Sequence, residues 1–311
     1  MLPVALAVLS GVCFGSWSLA LKRKRFELNS FFTVFFATTF AVVLAGCFIA
    51  DAPGIAGDLG RGELSGLAWG VGGGLGWGVA TLTFGYALTL VGLALGYAII
   101  LGIGMVFGTS MSMMLTYGTM GGLPESQVTY GIAGMLIALT GTVLSSWSGS
   151  LRSGGFSGEK NFKKGIPVCI LSGFLSGLFA VGYGGARLTL GAWTTVLLLT
   201  AGFWAAQLFT VCVLRGRGVH LTISSSCALL SAAGGTVFAL GVLFHYASAD
   251  AVGVHLSYPM MMGIQILTGN LWSLALGEWR GAPRRALAVQ AIAILLLLLA
   301  SAVIGRAMMG G

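Results

Sequence analysis

Long apolar stretches separated by short polar connections run along the whole chain. Each approaches the roughly 20 residues that a helix needs to cross about 30 Å of hydrocarbon. They lack the strict alternation of membrane β-strands, and a helix satisfies its own backbone hydrogen bonds in lipid. The pattern predicts an all-α integral membrane protein with ten transmembrane helices, at residues 3–21, 31–50, 65–90, 93–117, 127–148, 165–186, 192–214, 223–247, 251–276 and 286–308.

Composition supports a membrane protein and argues against a soluble one. The 311 residues are 57% hydrophobic and only 8% charged, whereas a soluble domain carries roughly 25% charge. The five cysteines all fall inside apolar stretches without metal-type spacing, so we interpret them as buried structural residues and expect no metal site. The N-terminus lacks a basic segment and a cleavage site, and the first apolar stretch is expected to be a retained span.

The net charge of +8 is distributed unevenly between the two sides of the predicted bundle. Thirteen of the 16 Lys and Arg residues follow odd-numbered spans, on one side. Basic loops face the cytoplasm, which predicts an inner-membrane protein with both termini outside. Because this asymmetry accounts for the charge, no nucleic-acid partner is expected; the lipid bilayer is the expected surroundings.

Two segments of the chain align without gaps at a separation of 161 residues. We call this alignment the repeat register. Seven residues recur 161 positions later: Val91, Gly92, Leu95, Tyr97, Gly102, Ile103 and Gly108 match Val252, Gly253, Leu256, Tyr258, Gly263, Ile264 and Gly269. The pattern predicts two five-helix repeats, residues 1–148 and 165–311, joined by a flexible basic cytoplasmic linker at 149–164. Since five is odd, the repeats must be inverted, as in many secondary transporters with a central solute site.

Several motifs resemble those of a known family. They are FGSWSLALKRKR (14–25), FGYALTLVGLALGYAIILGIGMVFGT (84–109), NFKKGIPVCILSGFLSG (161–177), LGEWRGAPRR (276–285) and AVIGRAM (302–308). In order and spacing they resemble the L-rhamnose–proton symporter family of the drug/metabolite transporter superfamily, with the plant ureide permeases as close relatives. SADAVG (248–253) is more similar to the ureide permeases.

The resemblance implies ten spans in two inverted halves and a proton-coupled symporter of a rhamnose-like sugar that works by alternating access. A ureide or nucleobase permease is the alternative. Neither requires a cofactor; the expected partners are a small polar solute and protons, with sodium as the alternative coupling ion. A channel is disfavoured by the repeat, and an intramembrane enzyme by the lack of paired acids, a metal triad or an HExxH motif within the spans.

Proton coupling is predicted at the start of the ninth span. Ionisable groups inside spans are costly and suggest function, and histidine titrates near physiological pH. His255 and Asp250 are the candidate pair. The alternative is that Asp250 caps the helix and His255 is interfacial. Pro259 removes one backbone donor, and we expect the break it causes at the His255 carbonyl to help form a midplane site.

Solute binding is predicted to use amides beside aromatic rings, which suit sugar hydroxyls and C–H faces as well as planar ureides. The candidates in or near the span centres are Gln265, Tyr258, Gln207, Trp17, Trp77, Tyr97 and Asn270. The alternatives are ordinary ones, because an intramembrane glutamine also links helices and tryptophan near a span end also anchors it at the interface.

Overall fold

The computed structural model describes residues 1–17, 19–22, 27–91, 93–119, 122, 124–152, 162–218 and 221–309. Every regular element in these ranges is a helix. They are α1 (Leu2–Ser16), α2 (Leu19–Lys22), α3 (Leu28–Arg61), α4 (Leu64–Val91), α5 (Leu93–Thr119), α6 (Glu125–Arg152), α7 (Phe162–Ala186), α8 (Ala192–Gly216), α9 (Ser225–Val252), α10 (Val254–Ala275) and α11 (Arg284–Met308).

Each predicted span corresponds to one of these helices, with α1 and α2 sharing the first span. Among the described residues, α3, α6, α7, α8, α9 and α11 are long and apolar enough to cross a membrane. α1 and the stretch 99–115 of α5 are apolar but shorter. α10 runs as one helix through Pro259. Most of the predicted linker, residues 153–161, lies outside the described residues.

The helix of the second predicted span, α3, is longer than predicted. It begins at an N-cap, where Glu27 accepts hydrogen bonds from the backbone N–H groups of Asn29 and Ser30. Burial alone would raise the pKa of Glu27, but its hydrogen bonds with Ser30 and Asn29 outweigh burial and lower it. At the other end the chain bends at Asp51, which has a non-helical backbone, and then continues as helix to Arg61.

The continuation beyond this bend holds Asp58, a carboxylate expected in a loop. Asp58 is buried and forms an ion pair with Arg61. Its Oδ2 accepts hydrogen bonds from the Gly191 N–H at 2.7 Å and the Thr194 hydroxyl at 2.6 Å. These groups belong to the first turn of α8, whose N–H groups lack partners within the helix. Asp58 therefore caps α8 from a neighbouring helix.

The bundle has two ends, which we name by their residues. The termini end holds Met1, the C-terminus of α9 and the α7–α8 turn; there the Ser248 hydroxyl donates to the Pro3 carbonyl. The basic end holds Arg152 and the turn after α10, and Arg152 pairs with Glu278 at 3.2 Å. The helices alternate in direction between these ends.

Helix packing follows a pattern that relates the two halves of the chain. The main contacts are α4–α7, α6–α11, α5–α7, α4–α8, α3–α9, α1–α9, α1–α10, α3–α8, α5–α6, α10–α11 and α5–α10. The first-half helices α1, α3, α4, α5 and α6 correspond in order to α7, α8, α9, α10 and α11. When every helix is replaced by its counterpart, each contact in this set maps onto a contact that is also in the set; for example, α4–α7 maps onto α1–α9. The two halves therefore pack by the same plan.

The same plan extends to individual atoms. The Ser10 hydroxyl donates to the Gly241 carbonyl at 2.7 Å, and the Ser172 hydroxyl donates to the Ala80 carbonyl at 3.0 Å. The repeat register matches Ala80 to Gly241, and it matches Ser10 to the position directly before Ser172. These two hydrogen bonds therefore join equivalent positions of α1–α9 and α7–α4.

Glycines next to these serines allow close helix contact in both halves. A Cβ added at Gly11 would lie 2.8 Å from the Met261 carbonyl oxygen, and one at Gly173 would lie 3.1 Å from the Ile100 carbonyl oxygen. Both distances are too short for an ordinary Cβ contact. Small residues allow membrane helices to approach in this way. α1 thus crosses α10 as α7 crosses α5.

Candidate functional site

A cavity of about 100 Å³ lies inside the bundle, with space for several water molecules. Among the described residues, seven helical segments contribute to its wall. The lining residues are Phe14, Trp17, Phe32, Trp77, Ala80, Thr81, Phe84, Ile100, Leu101, Ser176, Phe179, Phe238, Tyr258, Met261, Met262 and Gln265. Both halves of the chain therefore supply the wall.

Much of this wall consists of equivalent residues from the two halves. Five pairs that match in the repeat register, exactly or with a shift of one position, line it together: Phe14 with Ser176, Trp17 with Phe179, Trp77 with Phe238, Ile100 with Met261, and Leu101 with Met262. A residue and its counterpart can both face one cavity only if the cavity lies where the equivalent surfaces of the halves meet. The cavity is thus centred between the halves.

Aromatic rings form the apolar part of the wall. Trp77 stacks on Phe238 with ring centres 5.5 Å apart and planes 20° apart, and it meets Phe179 edge-on at 4.3 Å. Trp17 meets Phe238 edge-on at 5.9 Å. Rings held by their neighbours in this way are preorganised, because they lose little conformational freedom when a flat or ring-shaped solute binds.

Few of the described lining residues carry a polar side chain. The Thr81 hydroxyl donates to the Trp77 carbonyl in its own helix, and the Tyr258 hydroxyl lies 3.5 Å from the Ser176 carbonyl oxygen, at the limit of a hydrogen bond. Gln265 is half-buried on α10, and its counterpart in α5 is Gly104. Within the described residues its side-chain amide has no hydrogen-bond partner, so the amide remains available to a solute.

Four of the predicted solute-binding residues, Trp17, Trp77, Tyr258 and Gln265, line this cavity. Two others lie elsewhere. Gln207 is buried on α8 and donates to the Thr33 hydroxyl at 3.1 Å, and Asn270 accepts from the Ser145 hydroxyl at 2.9 Å. Tyr97 belongs to α5, but its side chain lies outside the described residues. The predicted role in solute binding stays a prediction for all seven.

The predicted proton-coupling residues lie near the termini end of α9 and α10. Asp250 forms an ion pair with Arg187 at 2.8 Å, and both side chains are partly exposed. A pair of this kind contributes about 1 kcal/mol or less to stability. His255 is buried beside Gly253, and its ring nitrogens have no hydrogen-bond partner among the described residues. No hydrogen bond or ion pair joins the two within the described part of the chain.

A buried aromatic layer separates the cavity from the termini end. Phe179 and Tyr258, both in the cavity wall, contact the ring of His245, and Tyr246 packs beside it. Tyr246 in turn stacks on Tyr183 at 4.4 Å. The predicted site left out His245, although the repeat register matches it to Phe84 of the cavity wall and could have found it.

Long apolar helices around a central cavity make this chain a multi-pass membrane protein. No family model matches it. Three curated relatives that it resembles are each named L-rhamnose-proton symporter. The protein of Cronobacter sakazakii is 26% identical over 75% of this chain and 75% of its own length. The protein of Klebsiella pneumoniae is 24% identical over 75% of this chain and 76% of its own length. The protein of Yersinia pestis is 23% identical, also over 75% of this chain and 76% of its own length.

A known crystal structure has a similar fold. It superposes on 97% of this chain and 95% of its own chain with a TM-score of 0.68, at 17% sequence identity. At this level of identity the likeness concerns the fold alone. The curated relatives are transporters by name, which agrees with a protein that is not an enzyme.

Proposed function

We propose that this chain is a proton-coupled symporter of a rhamnose-like sugar, located in the inner membrane, which works by alternating access. The observation that carries the proposal is the cavity at the centre of the bundle, where equivalent residues of both halves meet. Secondary transporters with inverted repeats bind their solutes at such a place. The names of the curated relatives supply the class of solute and the coupling ion.

Ten spans in two inverted halves are part of this proposal. The matching hydrogen bonds of Ser10 and Ser172, together with the exchange pattern of the helix contacts, support a repeated unit. Five spans per unit then require opposite orientations in the membrane. By the positive-inside rule the basic end faces the cytoplasm, with both termini outside.

The chemistry of the cavity wall supports a sugar. A monosaccharide presents hydroxyl groups around its rim and C–H groups on its faces. Trp77 and Phe179 offer flat apolar surfaces to the faces, and the Gln265 amide offers donors and an acceptor to the hydroxyls. The described wall carries no charged residue, which fits a neutral solute. A ureide or nucleobase could use the same groups, as the segment 248–253 suggests.

Under alternating access, the cavity should be open toward one end of the bundle and closed toward the other. Phe84 and Trp17 extend its wall toward the basic end and are half-buried, whereas Tyr246 and Tyr183 at the termini end are buried. This difference in burial supports a state that is closed to the outside. Rocking of one half against the other would open the termini end and close the basic end. The predicted coupling residues His255 and Asp250 lie on that outer side.

Uptake into proteoliposomes under an imposed proton gradient tests the proposal. L-rhamnose should accumulate inside with saturable kinetics. At one proton per sugar, each pH unit of gradient supports about tenfold accumulation. Allantoin and uracil should compete poorly. Strong competition by them would transfer the assignment to a ureide or nucleobase permease. Linear flux that ignores the gradient would indicate a channel and overturn the proposal.

A further inference from the structure

His245 is a buried polar side chain that the cavity itself does not explain. Its exposed fraction is 0%, and neither ring nitrogen has a hydrogen-bond partner among the described residues. The ring stacks on Phe179 with centres 5.2 Å apart and planes 24° apart. An unsatisfied buried polar group costs free energy, and a position that only filled space would favour an apolar ring. The imidazole therefore points to a function in another conformation.

The repeat indicates which conformation that is. His245 on α9 corresponds to Phe84 on α4 in the repeat register, and each lies about two helical turns before the end of its helix. Phe84 lines the cavity near the basic end. His245 occupies the equivalent place near the termini end, behind Phe179 and Tyr258. If the two halves exchange conformations, Phe84 becomes buried and His245 becomes part of the cavity wall.

We propose that His245 enters the transport cavity when the termini end opens and carries the coupled proton. This inference rests on the proposed transport function and assigns the proton to a different histidine from the pair predicted by sequence. Water reaching the open cavity would protonate one ring nitrogen. After the halves exchange, the imidazolium returns the proton to cavity water past the Tyr258 hydroxyl, and the neutral ring is left buried, as it lies here.

The surroundings of His245 suit a group that is charged for only part of the cycle. On the termini-end part of the helices packed around it, the titratable and charged groups are Tyr246 and Asp250 on α9, Tyr183 on α7 and Arg187 just after it, Tyr258 and His255 on α10, Cys13 on α1, and Cys47, Asp51, Asp58 and Arg61 on α3. Asp250 already pairs with Arg187, and Asp58 with Arg61. No described carboxylate contacts the ring, so a buried imidazolium would be unpaired and costly.

Cysteine accessibility tests the position of His245. In a variant whose five cysteines are replaced by serine or alanine, His245→Cys and its matched control Phe84→Cys are labelled with a membrane-impermeant thiol reagent in right-side-out and inside-out vesicles. The Phe84→Cys variant should react from the cytoplasmic face and the His245→Cys variant from the outer face. Labelling of 245 from neither face, or from the same face as 84, would overturn the inference.

Transport measurements test whether His245 carries the coupled proton. They use variants of the native chain with a single substitution each. His245→Gln should abolish accumulation above the external L-rhamnose concentration under a proton gradient, while exchange of labelled for unlabelled sugar continues. His255→Gln is measured in parallel, because it removes the histidine of the pair predicted by sequence. Loss in His255→Gln with accumulation intact in His245→Gln would overturn the inference in favour of the pair predicted by sequence.

The two arms separate this inference from the proposed function. If the native protein transports no sugar, the symporter assignment fails, yet the labelling of positions 84 and 245 still reports whether the halves exchange. If sugar accumulates with the gradient but His245→Gln accumulates it equally, the symporter assignment stands and the role of His245 is wrong.

Discussion

Gln265 provides the sharpest test of the cavity as the solute site. Its amide supplies two donors and an acceptor, and among the described residues it has no partner. Gln265→Leu retains a similar volume but removes these groups. The substitution should leave the fold intact, because no protein hydrogen bond is lost within the described residues. The expected effect is therefore on solute binding alone.

The magnitude follows from the hydrogen bonds that the amide can make. A sugar that binds both its oxygen and its nitrogen gains two neutral hydrogen bonds, each worth about 0.5–1.5 kcal/mol net. Their loss would cost about 1–3 kcal/mol, or roughly 5–150-fold in Kd. The aromatic wall formed by Trp77 and Phe179 is unchanged by the substitution and should preserve the residual affinity.

A second intramembrane glutamine serves as the matched control. Gln207 donates to Thr33 at 3.1 Å and lies outside the described cavity wall. Gln207→Leu should lower stability by about 0.6–2 kcal/mol without changing Kd for the sugar. The assay is sugar binding and exchange in proteoliposomes, with thermal unfolding measured on the same samples.

Two results would contradict this reasoning. Binding by Gln265→Leu within about twofold of the native protein would be too small for even one lost hydrogen bond, and it would remove Gln265 from the site. An equal loss of affinity in Gln207→Leu would return Gln207 to the solute site, as its sequence position predicted.

Three further predictions concern stability and are checked by thermal or denaturant unfolding in detergent. Ser10→Ala and Ser172→Ala should cost similar amounts, about 0.6 kcal/mol each, and add in the double variant; a large difference would argue against equivalent positions. Asp58→Asn should cost about 1.5–3 kcal/mol by weakening its charged hydrogen bond to the Gly191 N–H, without changing sugar affinity. Since the pKa of Glu27 is lowered in the folded state, its stabilisation is present above the ordinary carboxylate pKa and is lost as pH falls through the folded pKa; the difference from Glu27→Gln should therefore vanish in acid.

The sequence alone predicted the class of the protein and its helices. A hydrophobic run long enough to span lipid is a local property, so most helix ends lie within a few residues of the prediction. The exception is α3, where Pro53 and Asp51 suggest an end but the helix resumes beyond the bend. Beyond the bend, Asp58 accepts hydrogen bonds from Gly191 and Thr194 at the start of α8, and these contacts are too distant in sequence to be predicted from a local pattern.

The proposed repeat is supported by sequence at some helices and by packing alone at others. α5 and α10 share enough identities to reveal the repeat register. α1 and α7 share few, yet Ser10 and Ser172 make the same hydrogen bond, and Gly11 and Gly173 the same close contact. Packing geometry constrains only the small residues at a crossing, so the rest of each helix can diverge while the equivalent contacts remain.

The sequence predicted candidate polar and aromatic residues, but it could not tell which of them line the cavity. Polar and aromatic residues within spans identified Trp17, Trp77, Tyr258 and Gln265, which line the cavity. The same rule also selected Gln207, which faces a neighbouring helix. In water, the polar face of a helix marks its outer side. In a membrane, lipid and protein interior are equally apolar, so only the tertiary structure decides which side chains face the cavity.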